Sequence, residues 1–469
     1  MLLSKASYFH SPLGFIHRQF RHQIPPFHTP ISPPLSSRTI LLTGFTSGIG
    51  FQAAVLLLKE GANLVLVARN PARAEYGLKK IRDKLVAEGD WEAVLGLGEE
   101  KVGSGKTKRV RTLCCDQLDL EDVVRFAREV EGLLRSGEIA GLDAAVLNAG
   151  IVPGEWRVTK DGWEESLQVN VLSTALLALI LLPLLRTYST VPTPSRLIFL
   201  NSDSSSWWSL RELSASNTLS AFNIENTKQL DRRYPRTKTL LLLFTFALLR
   251  RESNHETPTT SSLSLLSTPT AITPISSHLD PHLQVPHIDL DFLGDIPLPT
   301  PPSPSTTAVN SSAISTHDHD DDDHDLIHPK RKSSPTLPHV PPPPPTSYST
   351  ASTHLAPPRK HVAIITLTPG LCNTEIFDSI PESVKGPIEK IAWDAKEGGR
   401  VVAIAAADGV VEVDEWDGKF VAAGIVAKRP GKLCYGKKGV RNQEKVYHEV
   451  MDVLYKRFPE VVEPYKPRD

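Results

Sequence analysis

Apolar residues fall in short runs and helical stripes that alternate along most of the chain. The run Thr39–Thr43 predicts a strand, followed by a glycine-rich turn and a helix over Phe51–Glu60. Ala62–Ala68 predicts a second strand and Arg73–Ala87 a charged amphipathic helix. Val110–Cys115 gives a third strand, Glu121–Leu134 a helix with apolar spacing near 3.6, and Ala144–Leu147 a fourth strand. The alternation continues with a helix over Gly162–Leu185, a strand over Arg196–Leu200 and a helix over Tyr234–Arg251. It resumes with a strand over Val362–Thr366. Strand and helix at this spacing argue for βαβ units: an α/β fold with a doubly wound parallel sheet covered by helices on both faces. Val171–Leu185 and Leu240–Leu249 are strongly apolar, but each falls short of the ~20 residues a membrane span needs, so no transmembrane segment is expected.

Composition changes this picture in one place. Of 39 Pro, about half lie between Thr257 and Pro358, a stretch with a single Gly (Gly294) and long Ser/Thr runs. Such a segment buries too little apolar surface to offset a chain entropy of ~1–2 kcal/mol per residue, so 257–358 reads as a disordered insertion. Its tract His317–Asp325 reads as a solvated charge run rather than a metal site. The expected organisation is an N-terminal extension (1–36), one nucleotide-binding domain in two parts (37–256 and 359–469), and the insertion between them. The balance of 52 Lys+Arg against 53 Asp+Glu removes the main reason to expect nucleic acid as a partner. Four Cys in no ligand spacing indicate neither a disulfide scaffold nor a metal centre. The first acidic residue is Glu60, and Lys5, Arg18, Arg21 and Arg38 precede it, as in a mitochondrial leader. Pro and His interrupt any amphipathic helix after Phe20, so a cytoplasmic location is expected, with mitochondrial targeting as the alternative.

Three motifs carry chemistry. Thr43-Gly44-Phe45-Thr46-Ser47-Gly48-Ile49-Gly50 ends a strand and opens a helix, where glycines let a dinucleotide pyrophosphate approach the helix N-terminus. At the end of the second strand, where a carboxylate would bind the ribose of NAD, the chain has Arg69; a guanidinium there suits the 2′-phosphate of NADP. Tyr234-x-x-x-Lys238 puts a phenol and an ammonium on one helix face, and a nearby cation favours phenolate. Tyr76 and Lys80 share that spacing. Only Tyr234 follows the nucleotide turn, Asn148-Ala149-Gly150 and a Ser-bearing strand end.

These motifs, in this order with Asn170, Ser202 and Pro369-Gly370, resemble the short-chain dehydrogenase/reductase family. The similarity is to its retinol-dehydrogenase-like and WW-domain-oxidoreductase-like branch in fungi, and covers about Ser37–Arg251 and Lys360–Leu454. It implies a Rossmann fold and reversible hydride transfer between NADP(H), with NAD left open, and a small alcohol or carbonyl. By this resemblance Tyr234 exchanges the proton, Ser202 holds the substrate oxygen, Lys238 lowers the Tyr pKa and binds ribose, and Asn170 positions a water in the relay. Asn148, Ala149 and Gly150 line the cofactor, Asp119 faces the adenine, and Pro369, Gly370 and Thr374 border the nicotinamide. Ser204, Ser205 and Ser206 compete with Ser202, because the gap to Tyr234 is long. Trp207 and Trp208 could flank a lipophilic substrate, and a homo-oligomer is left open. The other reading is a catalytically idle dinucleotide-binding or scaffold protein of the same fold.

Overall fold

In the computed structural model the described residues are 12–21, 24, 27, 35–97, 109–206, 208–253, 361–378, 382–407, 413–427 and 432–465. The expected insertion 257–358 lies outside them, as does Trp207. All described residues belong to one unit, Met1–Thr268 with Pro357–Asp469.

Five strands precede the insertion: β1 (Thr39–Thr43), β2 (Asn63–Ala68), β3 (Val110–Cys114), β4 (Ala144–Leu147) and β5 (Ser195–Leu200). After it come β6 (Val362–Thr368), the short β7 (Cys372–Asn373) and β8 (Trp393–Asp394), then β9 (Phe420–Ala422) and β10 (Ile425–Ala427). The main sheet has eight strands in the order β10-β9-β6-β5-β4-β1-β2-β3, and β7 pairs with β8 in a separate two-stranded sheet. Every pairing in the main sheet is parallel except β10 on β9. β1, β4, β5 and β6 are buried at every position, which is why they read as unbroken apolar runs: helices cover both faces.

The main helices are α1 (Pro12–Arg21), α2 (Gly48–Lys59), α3 (Pro71–Ala87), α4 (Leu120–Ser136), α5 (Thr174–Tyr188), α6 (Arg233–Ser253), α7 (Ala395–Ala406) and α8 (Gly436–Tyr455). Strand side chains divide by parity. Leu41, Val65, Ala145, Leu197 and Ile364 pack with α4, α5, α6 and α8. Ile40, Leu42, Leu64, Val146, Ile198 and Ile365 pack with α2, α3 and α7. The doubly wound parallel sheet expected from the alternation is thus the architecture.

Two elements depart from the sequence pattern. The helix expected over Gly162–Leu185 is broken at its start: Gly162 has φ 83° and Val158 bridges Glu164. Glu164 then caps a short turn through Ser166 N and Leu167 N, and Gln168–Ser173 forms a π-helical turn before α5. Such insertions in a helix re-aim side chains and concentrate at functional sites. The helical stretch Glu165–Tyr188 is long and apolar enough to cross a membrane, but its apolar window is wholly buried inside the fold. The second departure is the hairpin β9–β10, three residues per strand, which the patterning did not reveal.

Candidate active site

The turn after β1 and the loop after β4 meet where the strand order reverses, at the carboxyl ends of the strands. Thr43 Oγ1 accepts hydrogen bonds from the Asn148 and Ala149 amides at 3.0 and 2.9 Å. The Asn148 side-chain amide donates to the Thr43 and Gly44 carbonyls at 2.8 and 3.1 Å. Asn148 therefore staples the glycine turn. That approach is what requires Gly50: a Cβ there would lie 2.5 Å from Asn148 Nδ2. Ser47 sits at the N-cap of α2 in extended conformation and makes no side-chain capping bond, and Gly48 follows with φ 53°. The first amides of α2 are thus left without a side-chain cap, as an anion-binding helix N-terminus requires. Ile49 turns toward α7, against Gly398. Thr374 lies over the turn, its methyl group 3.0 Å from where a Gly48 Cβ would be. Gly370, with φ 85°, packs under the Trp393 ring, and Pro369 offers its carbonyl to Cys372 Sγ at 3.9 Å.

Ser202 follows β5 and Tyr234 opens α6. The start of α6 is fixed by Arg233, which donates to Glu164 Oε2 at 2.8 Å and to the Phe222 carbonyl at 3.0 Å; the side chains of this ion pair are 3% and 0% exposed. Asn201 donates to the Lys238 carbonyl at 3.2 Å and ties β5 to the same helix. With the helix phased in this way, Ser202 is near enough to Tyr234 to act on the ionisation of its phenol. Ser202 Oγ lies 2.8 Å from Ser204 Oγ. Of the competing serines, Ser204 is therefore a partner of Ser202, and buried Ser205 takes its backbone carbonyl to Thr239 at 2.6 Å.

Lys238 Nζ donates to the Leu200 carbonyl at 2.8 Å and lies 5.7 Å from the Tyr234 ring centroid. Asn170, carried by the π-helical turn, accepts from Ile151 N at 2.9 Å and donates to the Ile151 carbonyl and to Thr237 Oγ1 at 2.9 and 3.0 Å. A Cβ on Gly150 would lie 3.1 Å from Asn170 Oδ1 and 3.4 Å from Lys238 Nζ, so the glycine keeps that space open beside Asn170 and Lys238.

The electrostatics differ from the expected lowering of the Tyr234 pKa. Burial pushes Tyr234 up to about 12, only partly opposed by the neighbouring Ser202. Burial also pulls Lys238 down to about 8. The lysine pays the same desolvation as the phenol, so by the pH at which the phenol would ionise the cation is gone.

Two expected cofactor residues stand apart from this cluster. Arg69 faces Asp116, Nε to Oδ1 3.7 Å, beyond the end of β3. Asp119 is the N-cap of α4, accepting from Glu121 N at 3.0 Å and pairing with Lys160 at 2.7 Å. Its carboxylate is committed to the helix, and Asp116, three residues earlier, is the acid beside Arg69. The signal was present in the sequence: an Asp directly before an apolar helical stripe is a capping residue.

Fold and site together define a doubly wound α/β protein with a Ser–Tyr–Lys–Asn cluster beside a glycine-rich turn. A model of the short chain dehydrogenase family matches residues 38–96. The chain is 34% identical over 265 residues to the short chain dehydrogenase resG of Aspergillus sclerotiorum, covering 53% of this chain and 66% of that protein. It is 34% identical over 251 residues to the short chain dehydrogenase rstn4 of Aspergillus nomiae, covering 51% and 61%. The match thus spans less than two thirds of either relative. Among solved structures, a putative uncharacterized protein from Mycobacterium Paratuberculosis aligns with a TM-score of 0.44 at 15% identity, over 92% of this chain and 95% of that one. Over residues 38–96 the chain thus matches the short chain dehydrogenase family, and over about half its length it is similar to fungal members of it.

Proposed function

We propose that the protein is an NADP(H)-dependent oxidoreductase that interconverts an alcohol and a carbonyl, with Tyr234 as the acid/base. The observation that carries this reading is the Lys238 ammonium 5.7 Å from the Tyr234 ring, with Ser202 near enough to act on the phenol and Gly150 leaving room beside the lysine. The names of the two relatives, both short chain dehydrogenases, support the same chemistry.

The residues present fit a dinucleotide: α2 offers uncapped amides for the pyrophosphate, and Arg69 a half-exposed guanidinium for a 2′-phosphate. Lys238 would hold the nicotinamide ribose, and Pro369, Gly370 and Thr374 would border the ring. When bound, the cofactor supplies or accepts the hydride. A phenol raised to about 12 is protonated at neutral pH, which suits the reductive direction. Ser202 holds the carbonyl oxygen, Tyr234 gives it the proton, and Asn170 and Lys238 replace that proton through a water. Positioned proton transfer of this kind contributes about 10²–10⁴ in rate. Substrate is proposed as a small carbonyl or alcohol with lipophilic character; Trp208, stacked on Arg232 at 4.8 Å, offers an apolar surface.

NADPH and NADH absorbance followed with a panel of aldehydes and ketones tests the reading. Turnover with NADPH is the expected result. Binding of the cofactor without turnover of any substrate, or of the reverse reaction with an alcohol panel, favours the idle scaffold instead.

A further inference from the structure

Nothing in the chemistry above uses the segment before β1, yet α1 is tied to the catalytic end of the sheet by its side chains. Gln19 brackets the backbone of Leu371: its amide Nε2 donates to the Leu371 carbonyl at 2.7 Å, and its Oε1 accepts from the Leu371 amide at 3.2 Å. The same carbonyl accepts from Trp393 N at 2.8 Å, so both of its lone pairs are used. Trp393 closes the arrangement, since its indole N–H donates to the Gln19 carbonyl at 2.6 Å while its ring covers Gly370. One residue earlier, Arg18 pairs with Asp203 at 2.7 Å, each side chain 9% exposed. Asp203 follows Ser202 directly and also accepts from Thr368 Oγ1 at 2.7 Å. Further along, Ile24 and Phe27 are buried in the same apolar cluster as α2 and α7, and Arg400 donates to the Ile24 carbonyl at 3.3 Å.

We propose that α1 is a positioning element of the active site, with Gln19 setting the Pro369–Thr374 loop and Arg18 acting on Ser202 through Asp203. The proposal rests on the function proposed above in taking that loop and Ser202 as the cofactor and substrate ends of the site. The physical basis is that Gly370, at φ 85°, turns the chain out of β6 into a segment whose strand pairing is limited to the two residues of β7 on β8. A glutamine that satisfies both polar groups of one peptide residue does for this loop what a neighbouring strand does for a sheet edge. Removing Arg18 from an ion pair so little exposed would take a cation away from the Asp203 carboxylate, one residue from Ser202. These residues therefore pack as part of the folded unit.

The test uses the full chain with Gln19→Leu, which removes both bonds to Leu371 with little change of volume. Hydrogen exchange over 369–374 and NADPH affinity by fluorescence titration are both read. Exchange is expected to accelerate about tenfold or more and NADPH to bind about tenfold more weakly, as for the loss of two neutral hydrogen bonds. Lys445→Met serves as the structural comparison. It removes a side chain that holds the Leu213 and Ala215 carbonyls far from this loop, so it should lower Tm and leave both readings unchanged. Should Gln19→Leu fail to fold, Trp393→Phe keeps a ring over Gly370 and deletes only the donor to Gln19; faster exchange is again expected. Exchange and affinity within twofold of wild type in the folded variant overturn the proposal. If the wild type binds neither NADPH nor NADH, the functional reading falls, while the exchange measurement still decides the role of α1.

Discussion

Two helices of this molecule carry a tyrosine followed four residues later by a lysine, and the local geometry is nearly the same in both. On α3, Lys80 Nζ lies 5.4 Å from the Tyr76 ring centroid; on α6, Lys238 Nζ lies 5.7 Å from that of Tyr234. The surroundings differ completely. Tyr76 is 51% exposed, and Lys80 also reaches over Phe51 and pairs with Glu375 at 3.5 Å. Lys238 is 3% exposed, and its ammonium donates to a strand carbonyl, while Tyr234 has Ser202 as a neighbour. Helical spacing thus sets the ring-to-ammonium distance, and position relative to the strand ends sets the surroundings of each pair.

The largest expected effect is from Tyr234→Phe. It removes the proton donor alone, so kcat should fall by ~10² or more while the fold and NADPH affinity persist. Steady-state kinetics beside a thermal melt check this. Lys238→Met should lower kcat by a similar factor, with a second consequence that separates it from ordinary core damage. Because burial lowers Lys238 to about 8, the folded chain binds fewer protons there than the unfolded chain between about pH 8 and 10.5, and this group's contribution to stability rises with pH across that window. Removing the disfavoured ammonium should therefore leave Tm at pH 7 unchanged or higher, and a clear fall in Tm contradicts the assignment of burial as the cause. Arg69→Asp, on the same edge of the sheet as α3, should weaken NADPH by about tenfold and move preference toward NADH, because a charge-assisted guanidinium–phosphate pair becomes a repulsion. Equal affinity of the wild type for both cofactors sinks that expectation. The smallest effect is in the pH profile of carbonyl reduction, which should decline above about pH 8 as Lys238 loses its proton; a flat profile to pH 10 separates Lys238 from the proton relay.

Much of this was legible in the residues. Strands covered on both faces leave continuous apolar runs, so β1, β4, β5 and β6 were legible as such, and the glycine turn announced itself by Gly44, Gly48 and Gly50. What the sequence hid was mostly a matter of partners far away in the chain. Asn148 serves as a staple of the turn as much as a lining residue, which depends on its meeting Thr43 across two strands. Asp119 also caps a helix, and Asp116 stands beside Arg69, contacts that motif order alone does not reveal. Asn170 owes its position to a π-helical turn, for which periodicity has no signature. The pKa of Tyr234 was misjudged in direction, since spacing shows a nearby cation and says nothing of the desolvation that the cation and the phenol share. The role of α1 depends on Gln19 reaching Leu371, a contact between residues 352 positions apart.

The comparison of the two tyrosines can be reduced to one measurement. Tyr76→Phe and Tyr234→Phe, assayed in parallel with NADPH and one carbonyl substrate that the wild type reduces, give a ratio of kcat values in which substrate and cofactor effects cancel. A ratio of ~10² or more, with Tyr76→Phe within twofold of wild type, is expected if burial beside Ser202 is what makes the pair catalytic. A ratio near one would show that Tyr234 is not the proton donor.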